Sequence, residues 1–122
     1  MQQPCRQILI VDDEPKVLKL FTRLLNEGGY SVTTVDSAND AVKVLNEQRV
    51  DLLILDLSMP QPDGFDLLKS LRVERPGLRI LVISGYMEGA LLKASEILGT
   101  TASLSKSEAP WRLLDTVRNL LQ

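Results

Sequence analysis

The stretch "DLLILD" (51–56) decides the fold. Its four apolar residues are not interrupted by a polar one, so a strand made from them has no face for water. That pattern belongs to a central strand of a parallel sheet covered on both sides. The run ends on Asp56, and a carboxylate at the edge of an apolar strand is costly to desolvate, so its position calls for a reason.

Similar short runs lie on either side. "QILIV" (7–11) precedes Asp12-Asp13, "YSVTTV" (30–35) is alternating and β-branched, "LRILVIS" (78–84) is apolar, and "ASLS" (102–105) is short and weak. These read as strands. Between them the spacing is helical. Pro15 suits a first turn, Val17, Phe21, Leu24 and Leu25 recur on one face, and Gly28-Gly29 stops the helix. Ser37 with Asp40 three residues on reads as an N-cap and acidic first turn, with Ala38, Ala41, Val42 and Leu45 inward. A loop with Pro60, Pro62, Asp63 and Gly64 follows the third strand, and Asp63 is a candidate cap for a helix carrying Leu67, Leu68 and Leu71, which ends before Pro76-Gly77. Residues 88–98 form a helix with Leu91, Ala94 and Leu98 inward, closed by Gly99. The last helix covers about 108–121, with Leu114, Val117 and Leu121 on one face. Five strands alternating with five helices predict an α/β fold, with parallel pairing and right-handed crossovers. The 122 residues suit one domain with one core, behind a polar tail at 1–6.

Composition removes several kinds of chemistry. Net charge is −2 with the signs interspersed, so there is no basic footprint for nucleic acid. Lys69, Arg72, Arg75 and Arg79 read as a solvated helix face. The chain has one cysteine, Cys5, and no histidine. That excludes an internal disulfide, Cys–His and Ser–His–Asp catalysis, and a histidine-ligated metal. "MQQPCRQ" (1–7) is not a signal peptide, and no apolar run approaches the ~18 residues of a membrane span. The expected location is the cytoplasm. Trp111 fits a partner-facing anchor, a packed residue and a partly exposed one equally well.

In an open parallel sheet the functional crevice lies at the carboxyl ends of the strands. There the sequence puts Asp12 and Asp13, Asp56, Ser84, and Ser105 with Lys106, while Asp36 lies further out on the edge. Two unit charges ~4 Å apart near a protein surface interact by about 4 kcal/mol, so three carboxylates need positive charge. Lys106 supplies one. A divalent ion is the natural second, and all-oxygen ligands select Mg²⁺ or a similar hard cation such as Mn²⁺. One carboxylate oxygen then remains free as a nucleophile, and aspartyl phosphate is an established covalent intermediate. The metal, the Lys106 ammonium and the Ser84 hydroxyl would meet the charge on the transferred group. A simpler role for Asp12 and Asp13, at the positive end of the next helix, leaves Asp56 unexplained.

At this point the chain resembles a family. "ILIVDDEP" (8–15), "DLLILDLSMPQPDG" (51–64), "ILVISGY" (80–86) and the lysine of "SLSK" (103–106) are similar, in order and separation, to the receiver domain of two-component response regulators, including the chemotaxis regulator. The resemblance implies a flavodoxin-like five-stranded parallel sheet in order 2-1-3-4-5, with five helices on both faces. It implies Asp56 as phosphoacceptor, with Mg²⁺ held by Asp13, Asp56 and the Ser58 backbone carbonyl and by Asp12 largely through water. Ser84 and Lys106 would contact the phosphoryl oxygens. The donor is a phosphohistidine on a sensor histidine kinase or a histidine phosphotransfer domain, necessarily in trans. The domain would promote its own phosphorylation and dephosphorylation without a separate substrate, so it is not an enzyme in the usual sense. It would switch an output domain or protein whose identity the sequence leaves open. The signalling surface would be 88–121, which also offers a face for a homodimer. A stand-alone receiver and a piece of a longer regulator or hybrid kinase both stay open.

Two positions depart from the family. Ser107 stands where proline usually follows the lysine, and a non-proline cis bond costs ~2.5–4 kcal/mol, so the usual cis peptide is not expected. Ser103 stands where an aromatic ring usually swings inward on activation, so that switch is not carried over. Ser58 and Tyr86 border the phosphoryl site, and Tyr86 is expected to shield the acyl phosphate from water. The alternative function is an interaction module that keeps the fold without phosphorylation switching. A dehalogenase-type phosphatase wants a second aspartate where Ser58 stands. A flavin site wants a hydroxyl-rich phosphate loop where "DDEPK" (12–16) offers acids.

Overall fold

The apolar run at 52–56 forms the middle strand of a five-stranded parallel sheet. In the computed structural model, which describes residues 5–59, 64–85 and 101–122, the elements follow in the order β1 (Gln7–Val11), α1 (Pro15–Glu27), β2 (Ser31–Val35), α2 (Ala38–Glu47), β3 (Leu52–Asp56), α3 (Gly64–Glu74), β4 (Ile80–Ser84), β5 (Ala102–Ser105) and α4 (Ala109–Leu120). The sheet order is β2-β1-β3-β4-β5, the expected flavodoxin-like arrangement. Four helices are described. The expected helix at 88–98, Tyr86, and the loop residues Pro60, Pro62 and Asp63 lie outside the described residues.

Period-2 alternation sends each central strand's side chains into two cores. Leu9, Val11, Leu53, Leu55, Ile80 and Val82 pack with Ala38, Ala41 and Leu45 of α2 and Leu67, Leu68 and Leu71 of α3. Ile8, Ile10, Leu52, Ile54, Leu81 and Ile83 pack with Phe21 and Leu25 of α1 and Leu113 and Val117 of α4. Both faces of β3 and β4 are therefore dry, which is why their sequences are continuous rather than alternating.

The caps follow the sequence. The Ser37 hydroxyl accepts a hydrogen bond from the Asp40 N–H at 3.1 Å. Pro15 occupies the first turn of α1, and after its last turn Gly29 takes φ +93°, open to glycine without strain. A Cβ at Gly28 would meet the tip of the Leu114 side chain on α4, which would have to shift to make room.

Three sequence readings change. Val42 is 38% exposed, because it lies at the rim of the α2 stripe, and Val44 on the other rim packs instead. The buried stripe of α4 includes Leu113, fully buried, while Leu114 is only partly so. Nor are the four basic residues simply a solvated face. Arg75 donates to the Leu45 carbonyl at 2.9 Å and to Asn46 Oδ1 at 3.0 Å, and Arg72 donates to the Leu78 carbonyl, so these two tie α3 to its neighbours. Trp111 is 73% exposed, which removes its reading as a packed residue.

Asp51 anchors the starts of β1 and β3. It accepts the Gln7 N–H at 2.7 Å and pairs with Arg49 at 3.0 Å and Arg6 at 4.0 Å. Burial works to raise its pKa, but the Gln7 N–H and the two guanidinium groups outweigh it and hold the carboxyl below its ordinary value. The stabilisation is therefore complete above the unfolded pKa and is lost as pH falls through the lowered folded one. Asp51→Ala is expected to cost about 1–3 kcal/mol in a urea titration at pH 7, with the difference from wild type shrinking under acid conditions.

Candidate functional site

The carboxyl edge of the sheet gathers its polar residues because each strand stops there in register. Asp56 pairs with Ile83, and Ser84 with Ser105. The ladder runs one step further, where the Lys106 N–H donates to the Ser84 carbonyl at 2.7 Å, putting the lysine beside the end of β4. On the other flank the Asp12 N–H donates to the Val35 carbonyl at 3.2 Å, extending the β1–β2 pairing into the acidic turn. Gly64 opens α3 directly against the Asp56 carbonyl, where a Cβ would overlap backbone atoms.

The side chains converge as the sequence predicts. Asp56 is 1% exposed. Its Oδ1 accepts the Ser58 N–H at 2.8 Å and its Oδ2 the Lys106 ammonium at 3.1 Å. Asp12 is equally buried, accepts the Glu14 N–H at 2.9 Å and lies 3.4 Å from Lys106 Nζ. Asp13 is exposed, yet carboxylate oxygens of Asp12, Asp13 and Asp56 all lie within 4.8 Å of one another. Ser84 is fully buried, and its hydroxyl has no hydrogen-bond partner among the described residues. The Ser58 hydroxyl accepts the Gly85 N–H at 3.4 Å, across the mouth of the site. The serines flanking Lys106 bond to each other, Ser105 Oγ to Ser107 Oγ at 3.1 Å, so the position that proline usually fills here carries a hydroxyl held to the strand.

The electrostatics suit a bound cation. Burial, together with the nearby Asp56 charge, raises the Asp12 pKa from its ordinary 3.8 to about 6, against the opposing pull of the Glu14 N–H and Lys106. Burial also works to lower the Lys106 pKa, but the Glu14 hydrogen bond and the charges of Asp56 and Asp12 hold it above its ordinary value. One lysine thus leaves the acids under-compensated. Hard oxygen donors, crowded charge and a partnerless buried hydroxyl fit a small divalent ion with a phosphoryl group beside it.

A stability prediction follows from the raised Asp12 pKa. The unfolded chain ionises Asp12 near pH 4 and the folded one near pH 6, so without divalent ion stability falls as pH rises between them. Asp12→Asn is expected to stabilise the metal-free domain at pH 7 by up to about 3 kcal/mol, and to diminish the rise in melting temperature on adding Mg²⁺.

One residue of this cluster had no role assigned from sequence. Glu14 Oε1 lies 2.6 Å from Lys106 Nζ, the shortest of the three ion pairs that Lys106 makes among the described residues. The signal was the third acid of "DDE" (12–14), but nothing local tells a helix-entry acid from one that crosses the sheet edge.

Comparison with known proteins agrees with this geometry. Residues 8–118 match the model of the response regulator receiver domain family. The transcriptional regulatory protein GlrR of Escherichia coli K12 is 38% identical over 79 residues, a match covering 65% of this chain and 18% of that protein. A CheY-like receiver domain protein from Methanospirillum hungatei superposes with TM-score 0.89 at 26% identity, over 97% of this chain and 94% of that one. The response regulator TrrA of Thermotoga maritima, solved in complex with Mg²⁺-BeF, superposes with TM-score 0.84 at 29% identity, over 95% and 99%. The chain belongs to the response regulator receiver domain family, and is thus a signalling domain of the two-component kind. It spans less than a fifth of the length of GlrR.

Proposed function

We propose that this domain takes a phosphoryl group from a phosphohistidine onto Asp56 and passes the change on to an output partner. The observation that carries the reading is the buried Asp56 carboxylate, with Lys106 Nζ at 3.1 Å and two further aspartates whose carboxylate oxygens lie within 4.8 Å. An Asp56 oxygen attacks phosphorus, the O–P bond forms as the N–P bond breaks, and the departing imidazole keeps the N–P electron pair and is protonated. Lys106 and the Ser84 hydroxyl donate to the phosphoryl oxygens, which gives the buried hydroxyl the partner it lacks among the described residues. Mg²⁺ or Mn²⁺, held by Asp12, Asp13, Asp56 and the Ser58 carbonyl, would supply charge neutralisation.

Residues 1–122 hold no histidine, so the donor is a sensor histidine kinase or histidine phosphotransfer domain lying outside them. We take residues 1–122 as one receiver domain acting in the cytoplasm. No helix among the described residues is long and apolar enough to cross a membrane. The partner surface, and that of a homodimer, would be 88–121, of which 101–121 falls within the described residues and carries the exposed Trp111. With the acids, lysine and hydroxyl all assembled, nothing favours an interaction module that has lost switching.

The test is intact mass after incubation with Mg²⁺ and acetyl phosphate. The expected result is one added phosphoryl group, absent when a chelator removes the metal. No adduct from acetyl phosphate or from a phosphorylated kinase, with no beryllofluoride binding, would overturn the proposal. Tyr86→Ala is expected to shorten the lifetime of the adduct, and an unchanged dephosphorylation rate would remove the shielding role.

A further inference from the structure

The turn between β1 and α1 carries an acid that this chemistry does not use. Glu14 sits at the N-cap of α1, yet its side chain makes no capping bond. It crosses the sheet edge to Lys106, where its Oε1 lies 2.6 Å from Nζ, closer than Asp56 Oδ2 at 3.1 Å or Asp12 Oδ2 at 3.4 Å. An ammonium has three N–H donors, and three carboxylates stand around this one.

We propose that Glu14 is a latch on Lys106, which the incoming phosphoryl group must displace, and that it sets the rate of phosphoryl uptake. This rests on the reading of Asp56 as the phosphoacceptor. Lys106 Nζ donates to Glu14 Oε1 and Asp56 Oδ2 and has Asp12 Oδ2 3.4 Å away, so a phosphoryl oxygen reaching the ammonium has to compete with the carboxylates crowded around it. Asp12 is 2% exposed and bonded to the Glu14 N–H, and Asp56 is the reacting group. Glu14, with its side chain 59% exposed, is the one that water can receive at little cost. Its charge also opposes the approach of a phosphoryl dianion. Both effects slow the reaction, so Glu14 is a positioning residue that acts through Lys106 and touches neither metal nor phosphorus.

The experiment compares wild type with Glu14→Gln and Glu14→Ala at saturating Mg²⁺. It measures phosphorylation by acetyl phosphate and beryllofluoride affinity by ¹⁹F NMR. Both variants are expected to be phosphorylated about two- to fivefold faster and to bind beryllofluoride correspondingly tighter. Glu14→Asp, one methylene too short for the same contact but still charged, is expected to fall between them and wild type. The gain should shrink at ~1 M salt, where the Debye length is about 3 Å. A merely structural role would move the melting temperature and leave rate and salt dependence alone. If wild type takes up phosphoryl groups and Glu14→Gln is no faster, the latch is overturned by itself. A wild type that takes neither phosphoryl group nor beryllofluoride overturns the phosphoacceptor reading, and the latch with it.

Discussion

Asp56→Asn is expected to leave the domain folded and to abolish phosphoryl uptake. The amide is nearly isosteric, and its carbonyl oxygen still accepts the Ser58 N–H that Asp56 Oδ1 accepts at 2.8 Å. Its charge is gone, and the amide nitrogen that takes the place of Oδ2 cannot accept from Lys106, so that 3.1 Å contact is lost while the ammonium keeps Glu14 and Asp12 beside it, and Asp12 loses a like-charged neighbour that raises its pKa. Folding therefore loses little, while the chemistry loses its nucleophile. Intact mass after acetyl phosphate and Mg²⁺ should show no adduct, beside a melting curve close to that of wild type. An adduct of wild-type yield on Asp56→Asn would move the acceptor to another side chain.

Gly64→Ala is expected to have the largest effect on stability among the substitutions considered. A Cβ at this position would overlap the Asp56 carbonyl and crowd the Leu57 Cα, and these are backbone atoms that cannot swing aside as a side-chain tip does. Either α3 moves off the end of β3 or Asp56 moves out of register with Ile83, where it pairs in the ladder. Overpacking of a tight site costs typically 1–3 kcal/mol, and contact with backbone puts this case at the upper end, about 3 kcal/mol or more. The same displacement shifts the Asp56 carboxylate relative to Lys106, so uptake from acetyl phosphate should slow in parallel. Chemical denaturation and the uptake rate together check it, and an unchanged midpoint would mean that α3 stands further from the strand than the structure has it.

The contrast between these two positions follows what a linear sequence carries. Strand order and the converging acids were legible because both depend on local pattern. A continuous apolar run marks a strand buried on two faces, and in a parallel sheet every such run ends at the same edge. Ser37 as a cap was legible for the same reason, since the hydroxyl and the N–H it serves are three residues apart. The parts not legible depend on distant partners. The Glu14–Lys106 pair joins residues 92 positions apart, Gly64 is required by a carbonyl across a loop, and Arg75, just past α3, reaches the last turn of α2. Val42 and Leu114 were misplaced more simply. Each was read as facing inward but lies at the rim of its helical stripe, and only the packing of the sheet decides that Val42 stays exposed and that Leu113 is buried more deeply than Leu114. The serines at 103 and 107 were visible as departures, but that Ser107 bonds back to Ser105 across Lys106 depends on the course of the chain there.

The most direct test of the central claim is to locate the acyl phosphate chemically. Borohydride reduces an aspartyl phosphate to the alcohol, which converts the modified residue into homoserine with release of phosphate. Protein phosphorylated with acetyl phosphate and Mg²⁺ should, after reduction and proteolysis, carry homoserine at position 56 and unmodified aspartate at 12 and 13. Homoserine at position 12 or 13, or at none of the three in protein shown by mass to be phosphorylated, would contradict the assignment of Asp56 as the phosphoacceptor.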